Sequence, residues 1–121
     1  MGKRRWAIAE GWIPPDDQEK PKELVSHETA CLLNVNDRDA HVQLTVFFKD
    51  RAPVGPYQIT VPARRTLHVR FNDLKDPGPV PRGTDFASVI ESDLPIVVQH
   101  TRLDSRTPNN GLATTVAYAE E

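Results

Sequence analysis

The clearest strand in the sequence is the run Ala40-His41-Val42-Gln43-Leu44-Thr45-Val46-Phe47-Phe48. Apolar residues occupy every second position from Val42 to Phe48, and mostly polar residues lie between them. Because successive side chains of a strand point to opposite faces of a sheet, this period of two predicts a strand with one face in the core. The run therefore indicates a β fold.

Similar short runs, rich in β-branched and aromatic residues, recur along the chain between turn-forming residues. A tight turn at Ser92-Asp93 is predicted to separate two of them, and Gly11–Glu23 is predicted to be a polar loop long enough to suggest a function. The predicted strands are Trp6–Glu10, His27–Asn34, Ala40–Phe48, Tyr57–Val61, Arg65–Phe71, Phe86–Glu91, Pro95–Leu103 and Leu112–Ala119. Seven or eight strands without a credible helix predict an all-β fold, an antiparallel β-sandwich of jelly-roll or immunoglobulin-like type.

Length and composition limit the classes of protein to consider. The 121 residues predict a single domain, residues 1–121, and a formal net charge of −2 offers no general attraction to nucleic acid. One cysteine excludes an internal disulfide and suits a reducing cytoplasm. The apolar run behind Lys3-Arg4-Arg5 is too short for a signal peptide, and no stretch has membrane-spanning length. A soluble cytoplasmic protein is therefore expected.

The sequence gives little indication of a metal site or of a catalytic nucleophile. The four histidines, His27, His41, His68 and His100, lack the close spacing of zinc ligands. Cys31 lies in an apolar run without a basic neighbour in sequence, so a packing role is expected for it. No serine has the motif context of an activated hydroxyl. We therefore expect no enzyme activity, no metal and no cofactor.

Two predicted strands carry polar groups of an unusual kind. On Arg65–Phe71 the apolar residues Leu67, Val69 and Phe71 share one face. The opposite face is predicted to hold Arg64, Thr66, His68 and Arg70. On the strand Pro95–Leu103, the apolar run Ile96–Val98 is followed by Gln99, His100, Thr101 and Arg102.

These polar groups have two interpretations. In the first, they form a solvated or interface-facing surface with Asp73 and Asp104 as ion-pair partners. In the second, they form a binding site for an anion or a polyhydroxylated ligand. The residue types alone do not choose between them. The binding hypothesis expects neighbouring strands to bring six side chains into one pocket: Arg64, His68, Arg70, Gln99, His100 and Arg102.

Several runs closely resemble the sensory rhodopsin transducer family, the soluble transducers of cyanobacterial sensory rhodopsins and their bacterial relatives. The resemblance covers nearly the whole chain, and its runs are long enough to be specific. It rests on Trp6–Gly11, Ser26–Thr29, Pro53–Tyr57, Val61–Thr66, His68–Leu74, Thr84–Ile90 and Pro95–Arg106.

The resemblance implies a β-sandwich protomer, a homotetramer and a non-enzymatic role in signalling. In the wider family a small polar ligand is suggested, a sugar or related metabolite, and the alternative is docking on a membrane photoreceptor or another receptor. DNA contact is a weaker alternative, given the net charge. Carried onto this chain, the ligand-binding residues would be Glu10, His27, Glu28, Arg64, His68, Arg70, Gln99, His100, Arg102 and Asp104.

Overall fold

The computed structural model describes residues 1–15, 20–106 and 111–121. Residues 16–19 of the predicted loop Gly11–Glu23 lie outside the described residues. Two 3-10 turns, Lys22–Leu24 and Phe71–Asp73, are the helical elements of the described chain. Its strands are β1 (Lys3–Ile8), β2 (His27–Asn34), β3 (Ala40–Phe48), β4 (Val54–Val61), β5 (Arg65–Arg70), β6 (Phe86–Asp104), β7 (Gly111–Val116) and β8 (Tyr118–Glu120).

The eight strands form two antiparallel sheets. In sheet A the strand order is β4-β3-β6-β1-β8, and in sheet B it is β5-β2-β6-β7. The predicted all-β fold, an antiparallel β-sandwich of seven or eight strands, is confirmed. Among the described residues, no helix is long and apolar enough to cross a membrane.

Strand β6 belongs to both sheets. Its residues as far as Ile96 pair with β3 and β1, and from Val97 onward they pair with β2 and β7. The predicted turn at Ser92-Asp93 is therefore wrong. Ser92 faces inward and Asp93 outward, so the alternation continues through both residues, and Ser92 pairs with Val42 of β3.

The last predicted strand is also divided differently. Leu112–Ala119 was expected to be one strand, but β7 ends at Val116 in sheet B and β8 begins at Tyr118 in sheet A. Ala117 lies between them, is buried, and donates its amide to the Val98 carbonyl at 3.2 Å. One short segment thus closes edges of both sheets.

The core lies between the sheets and is filled by the inward alternate residues. Sheet A supplies Val42, Leu44 and Val46 from β3, each at most 1% exposed, as the sequence predicted. The rings of Phe71 and Phe86 meet with centroids 5.1 Å apart. Burial of such side chains contributes about 1.5–3 kcal/mol each relative to exposure.

The chain after β1 crosses one end of the sandwich as residues Gly11–Pro15, the closing segment. The Phe86 amide donates to Gly11 O at 2.9 Å, and the Gly83 amide donates to Ile13 O at 2.7 Å. Arg82 Nη1 donates to Pro14 O at 2.6 Å. Because Ile13 is also fully buried, the closing segment is anchored to the chain that leads into β6.

Candidate functional site

A carboxylate lies fully buried at the end of the sandwich, under the closing segment. Glu28 Oε1 is hydrogen-bonded to Nε2 of His100, and Oε2 accepts from Arg102 Nε at 2.6 Å. The same Oε2 accepts the backbone amide of Trp12 at 3.1 Å. A buried charge is costly unless it is paired and hydrogen-bonded, and here both carboxylate oxygens have partners.

Strand register explains why these groups meet. In the β2–β6 ladder Glu28 pairs with Arg102 and Ala30 pairs with His100, so Glu28, His100 and Arg102 all belong to the inward face of sheet B. They continue the inward row of Ala30 and Val98 beyond the point where apolar side chains fill the core. The sheet therefore ends in a polar layer.

Arg102 connects this buried layer to the surface. Its Nη2 donates to Glu10 Oε2 at 2.7 Å, and the Glu10 side chain is 67% exposed. Burial lowers the pKa of Arg102, but hydrogen bonds and charges from Glu28 and Glu10 outweigh burial and hold that pKa above its ordinary value. We define Glu10, Glu28, His100 and Arg102 as the Glu28 cluster.

Asn72 holds the start of β2 in place and was not predicted from the sequence. Its Oδ1 accepts the Glu28 amide at 3.3 Å, and its Nδ2 donates to Ser26 O at 3.0 Å. Ser26 Oγ in turn accepts the Ser105 amide at 2.8 Å, which fixes the end of β6 beside β2. The available signal was an amide side chain directly after the apolar residue Phe71, where a strand ends.

An aromatic and cationic pair lies at the rim of the cluster. Trp12, on the closing segment, is half-buried, and the Arg106 guanidinium lies 5.0 Å from the centroid of a Trp12 ring. Such cation–π contacts favour a fixed ring orientation. The residue whose amide contacts Glu28 therefore also carries a flat aromatic ring next to a cationic side chain.

Four of the predicted site residues occupy the outer face of sheet B. His68 of β5 and Gln99 of β6 are both exposed and lie on either side of Cys31 of β2. His27 Nδ1 contacts Val25 O at 2.7 Å, and Arg70 Nη1 donates to Lys22 O at 3.1 Å. This face is separated from the Glu28 cluster by the thickness of the sheet.

The two remaining predicted residues belong neither to the Glu28 cluster nor to the outer-face group. Arg64 precedes β5 in a left-handed conformation with φ of 57°, is exposed, and pairs with Asp37 at 3.2 Å. It does not belong to the strand, so its predicted place on the face of His68 and Arg70 is wrong. Asp104 is half-buried and pairs with Arg106 at 2.8 Å.

The expected common pocket of Arg64, His68, Arg70, Gln99, His100 and Arg102 is therefore not formed. Gln99 and His100 are adjacent on one strand, and adjacent residues of a strand point to opposite faces. The structure brings together His100 and Arg102, and it joins to them two of the three predicted carboxylates, Glu10 and Glu28.

The Glu28 cluster favours recognition of polar groups. No group of three or more His, Cys, Asp or Glu residues suited to a metal ion occurs in residues 1–15, 20–106 and 111–121. Arg102 Nη1 makes no hydrogen bond with a described residue, and the Arg102 side chain is 35% exposed. A guanidinium edge and a carboxylate at the surface can hold hydroxyl, carboxylate or phosphate oxygens.

Comparisons with known proteins give a consistent result. The family model described as "ASRT: Anabaena sensory rhodopsin transducer" matches residues 1–119. A solved structure named "Anabaena sensory rhodopsin transducer" is 59% identical, covers 84% of this chain and 97% of its own, and superposes with a TM-score of 0.73. Another, "Crystal Structure of Thermotoga maritima 1070", is 33% identical, covers 99% of this chain and 97% of its own, and has a TM-score of 0.86. A search of curated proteins finds no match.

Proposed function

Because the chain belongs to the Anabaena sensory rhodopsin transducer family, we propose that it is a non-enzymatic signalling module that binds a small polar ligand at the Glu28 cluster. The ligand class is a sugar or a related metabolite. The observation that carries the proposal is the position of Arg102, whose guanidinium joins the buried Glu28 to the exposed Glu10.

The chemistry of the rim supports this ligand class. A ligand hydroxyl or acid group can accept a hydrogen bond from Arg102 Nη1, and Glu10 beside it can accept hydrogen bonds from neighbouring hydroxyls. Trp12 provides a flat ring against which the apolar face of a sugar can pack. Because Glu10 directly precedes the closing segment, a ligand held by Glu10 would restrain the chain beside that segment, which gives ligand binding a structural consequence.

Thermal-shift screening of monosaccharides and sugar phosphates tests the proposal. A ligand present at 100 times its dissociation constant stabilises the folded state by about 2.7 kcal/mol, which is a clear shift in melting temperature. We expect Glu10→Gln to reduce the shift, and Glu23→Gln, an exposed control outside the cluster, to leave it unchanged. A panel without any stabilising compound, or a shift that Glu10→Gln leaves intact, would count against ligand binding.

A second candidate function is docking on a membrane receptor such as a sensory rhodopsin. It is favoured by the 59% identity to the structure named as a sensory rhodopsin transducer. Lys3, Arg4 and Arg5 are weak candidates for the docking surface because each is already engaged, with Glu121, the Asp93 carbonyl and Glu91 respectively. Co-sedimentation with rhodopsin-containing membranes tests this function, and a protein that stays in the supernatant at all concentrations would contradict it.

Assembly and location complete the proposal. Residues 1–121 would act as one domain in the cytoplasm and associate as a homotetramer, as the family resemblance implies. Exposed Leu112 and Val116 on β7 and Tyr118 on β8 offer apolar surface for such contacts. Light scattering after size exclusion tests the assembly, and a monomer mass at micromolar concentration would refute it.

DNA contact remains the weaker alternative, tested by salt-dependent retention on duplex DNA.

A further inference from the structure

A polar cavity lies at the end of sheet A and is lined by residues outside the Glu28 cluster. It has a volume of about 220 Å³ and is lined by Lys49, Asp50, Gly83, Thr84 and Asp85. Lys49 and Asp50 follow β3, and residues 83–85 lead into β6. The two segments meet because Phe48 and Phe86 are partners in the β3–β6 ladder.

The cavity is lined by charges of both signs, and two of the charged side chains have no direct partner among the residues that the structure describes. Neither Lys49 nor Asp85 makes a hydrogen bond or ion pair with any residue in the described part of the chain. Asp50 differs, because Arg51 Nε lies 3.2 Å from its carboxylate. That hydrogen bond, with smaller contributions from the charges of Arg51 and Lys49, holds the pKa of Asp50 below its ordinary value. An ammonium and a carboxylate without a hydrogen bond or ion pair to the described residues thus line one small space.

From this arrangement we infer that the cavity binds a small zwitterion, a free amino acid or a compound with the same pair of charged groups. Lys49 pairs with the ligand carboxylate, Asp85 pairs with the ligand ammonium, and the Thr84 hydroxyl donates to or accepts from either group. The volume is below the range of about 300–1,000 Å³ typical of pockets for drug-sized ligands. It suits a ligand of amino-acid size.

The cavity is linked to the Glu28 cluster through the closing segment. The Gly83 amide donates to Ile13 O, while the Trp12 amide on the same segment donates to Glu28. Both sites therefore contact one short stretch of backbone. This inference goes beyond the ligand proposed for the Glu28 cluster, because it concerns other residues and another class of compound.

Titration of the full chain with free L-amino acids, up to about 10 mM, tests the inference by calorimetry and by amide chemical shifts. We expect at least one amino acid to bind, with the largest shifts at residues 49–50 and 83–85. Its N-acetyl and amide derivatives, each lacking one charge, should bind at least about tenfold more weakly, because each loses a charge-assisted hydrogen bond.

Four variants complete the test. Lys49→Gln and Asp85→Asn should each weaken binding at least about tenfold, whereas Lys75→Gln and Asp76→Asn, matched exposed controls outside the cavity, should bind as the wild type does. The inference is overturned if no amino acid binds, if the derivatives bind equally well, or if the cavity variants behave like the controls. Shifts confined to the Glu28 cluster would overturn it too, while leaving the proposed sugar site standing.

Discussion

At the scale of single residues, Glu28 determines how the polar end of the sandwich is organised. It is fully buried, and three donors from two separate parts of the chain converge on it: the Trp12 amide, His100 and Arg102. Removal of one partner of a buried ion pair leaves the other charge uncompensated, which is more damaging than the loss of an exposed pair. The two acids that contact Arg102 should therefore differ sharply in their effect on stability.

Glu28→Gln is expected to lower the free energy of unfolding by about 1.5–3 kcal/mol, because a neutral amide replaces the buried carboxylate that accepts from Arg102, while Glu10 still pairs with the partly exposed guanidinium. Glu10→Gln removes the exposed partner of the same guanidinium and should cost no more than about 1 kcal/mol. Urea unfolding of both variants measures the difference. If the two variants lose the same free energy of unfolding, burial of Glu28 does not strengthen its interaction with Arg102.

Tyr57 gives the fold a dependence on alkaline pH. Its hydroxyl donates to Gly78 O, and burial raises the pKa of the phenol above the ordinary value of 10.0. Since the folded state binds this proton more tightly than the unfolded state, the contribution to stability is complete below pH 10 and is lost as pH rises toward and through the folded pKa. Stability should therefore fall above about pH 10.

Tyr57→Phe isolates this contribution from other groups that titrate in alkali. The variant should be less stable than the wild type at pH 8, because the Gly78 carbonyl loses its donor, and the difference should narrow above about pH 10. Urea midpoints of both proteins across this range provide the measurement. A constant difference would mean that Tyr57 does not titrate differently on folding.

At the scale of elements, the closing segment is held between the two sites by close packing as well as hydrogen bonds. A Cβ added at Gly11 would lie 2.4 Å from the Phe86 ring, which is itself buried against Phe71. A contact this short forces the ring or the segment to move. Glycine is required at Gly11 by space and not by backbone conformation.

Gly11→Ala is therefore expected to destabilise the fold by about 1–3 kcal/mol through overpacking. Gly78→Ala is a suitable control, because its Cβ would meet Val54 Cγ1 at 3.6 Å, an ordinary contact. Thermal unfolding compares the two variants. If Gly11→Ala proves as stable as Gly78→Ala, the closing segment is looser than its contacts indicate.

At the scale of the whole molecule, β6 is shared by the two sheets, and we expect this to make them unfold as one cooperative unit. Ile90 belongs to its sheet A half and is fully buried, so Ile90→Ala should cost about 2–5 kcal/mol. Because the same strand continues into sheet B, amide exchange in β2 should accelerate as much as exchange in β3. Gln58→Ala, on the exposed side of β4, is the control. Faster exchange in sheet A alone would show that the sheets unfold separately.

The sequence predicts the fold well because alternation is strong. The run Ala40–Phe48 has the predicted inward residues, and sandwich architecture follows from many such strands. The predicted turn at Ser92-Asp93 is wrong because turn-forming residue types are also compatible with a continuous strand: Ser92 and Leu94 keep the inward series of β6 unbroken. Alternation within a strand is a local property of the sequence. The length of a strand depends on which neighbouring strands it pairs with, and the sequence alone does not identify them.

The site is only partly predictable for the same reason. Strand parity predicts that His100 and Arg102 share one face of the sheet, and it places Gln99 on the opposite face. The meeting of Glu28 with Arg102 depends on register between β2 and β6, which no short stretch encodes. The Trp12 amide could not have been found from residue types, since its role belongs to the backbone.

The double membership of β6 restricts the motions by which this protein can change state. A slip of the strand by one residue would turn Ile90, Ile96 and Val98 out of the interior and would bring Glu91 into it. A slip of β6 along its own direction therefore costs too much free energy to act as a conformational signal. We therefore expect any conformational signal to involve the end of the sandwich, where the closing segment can rearrange while the two sheets stay rigid.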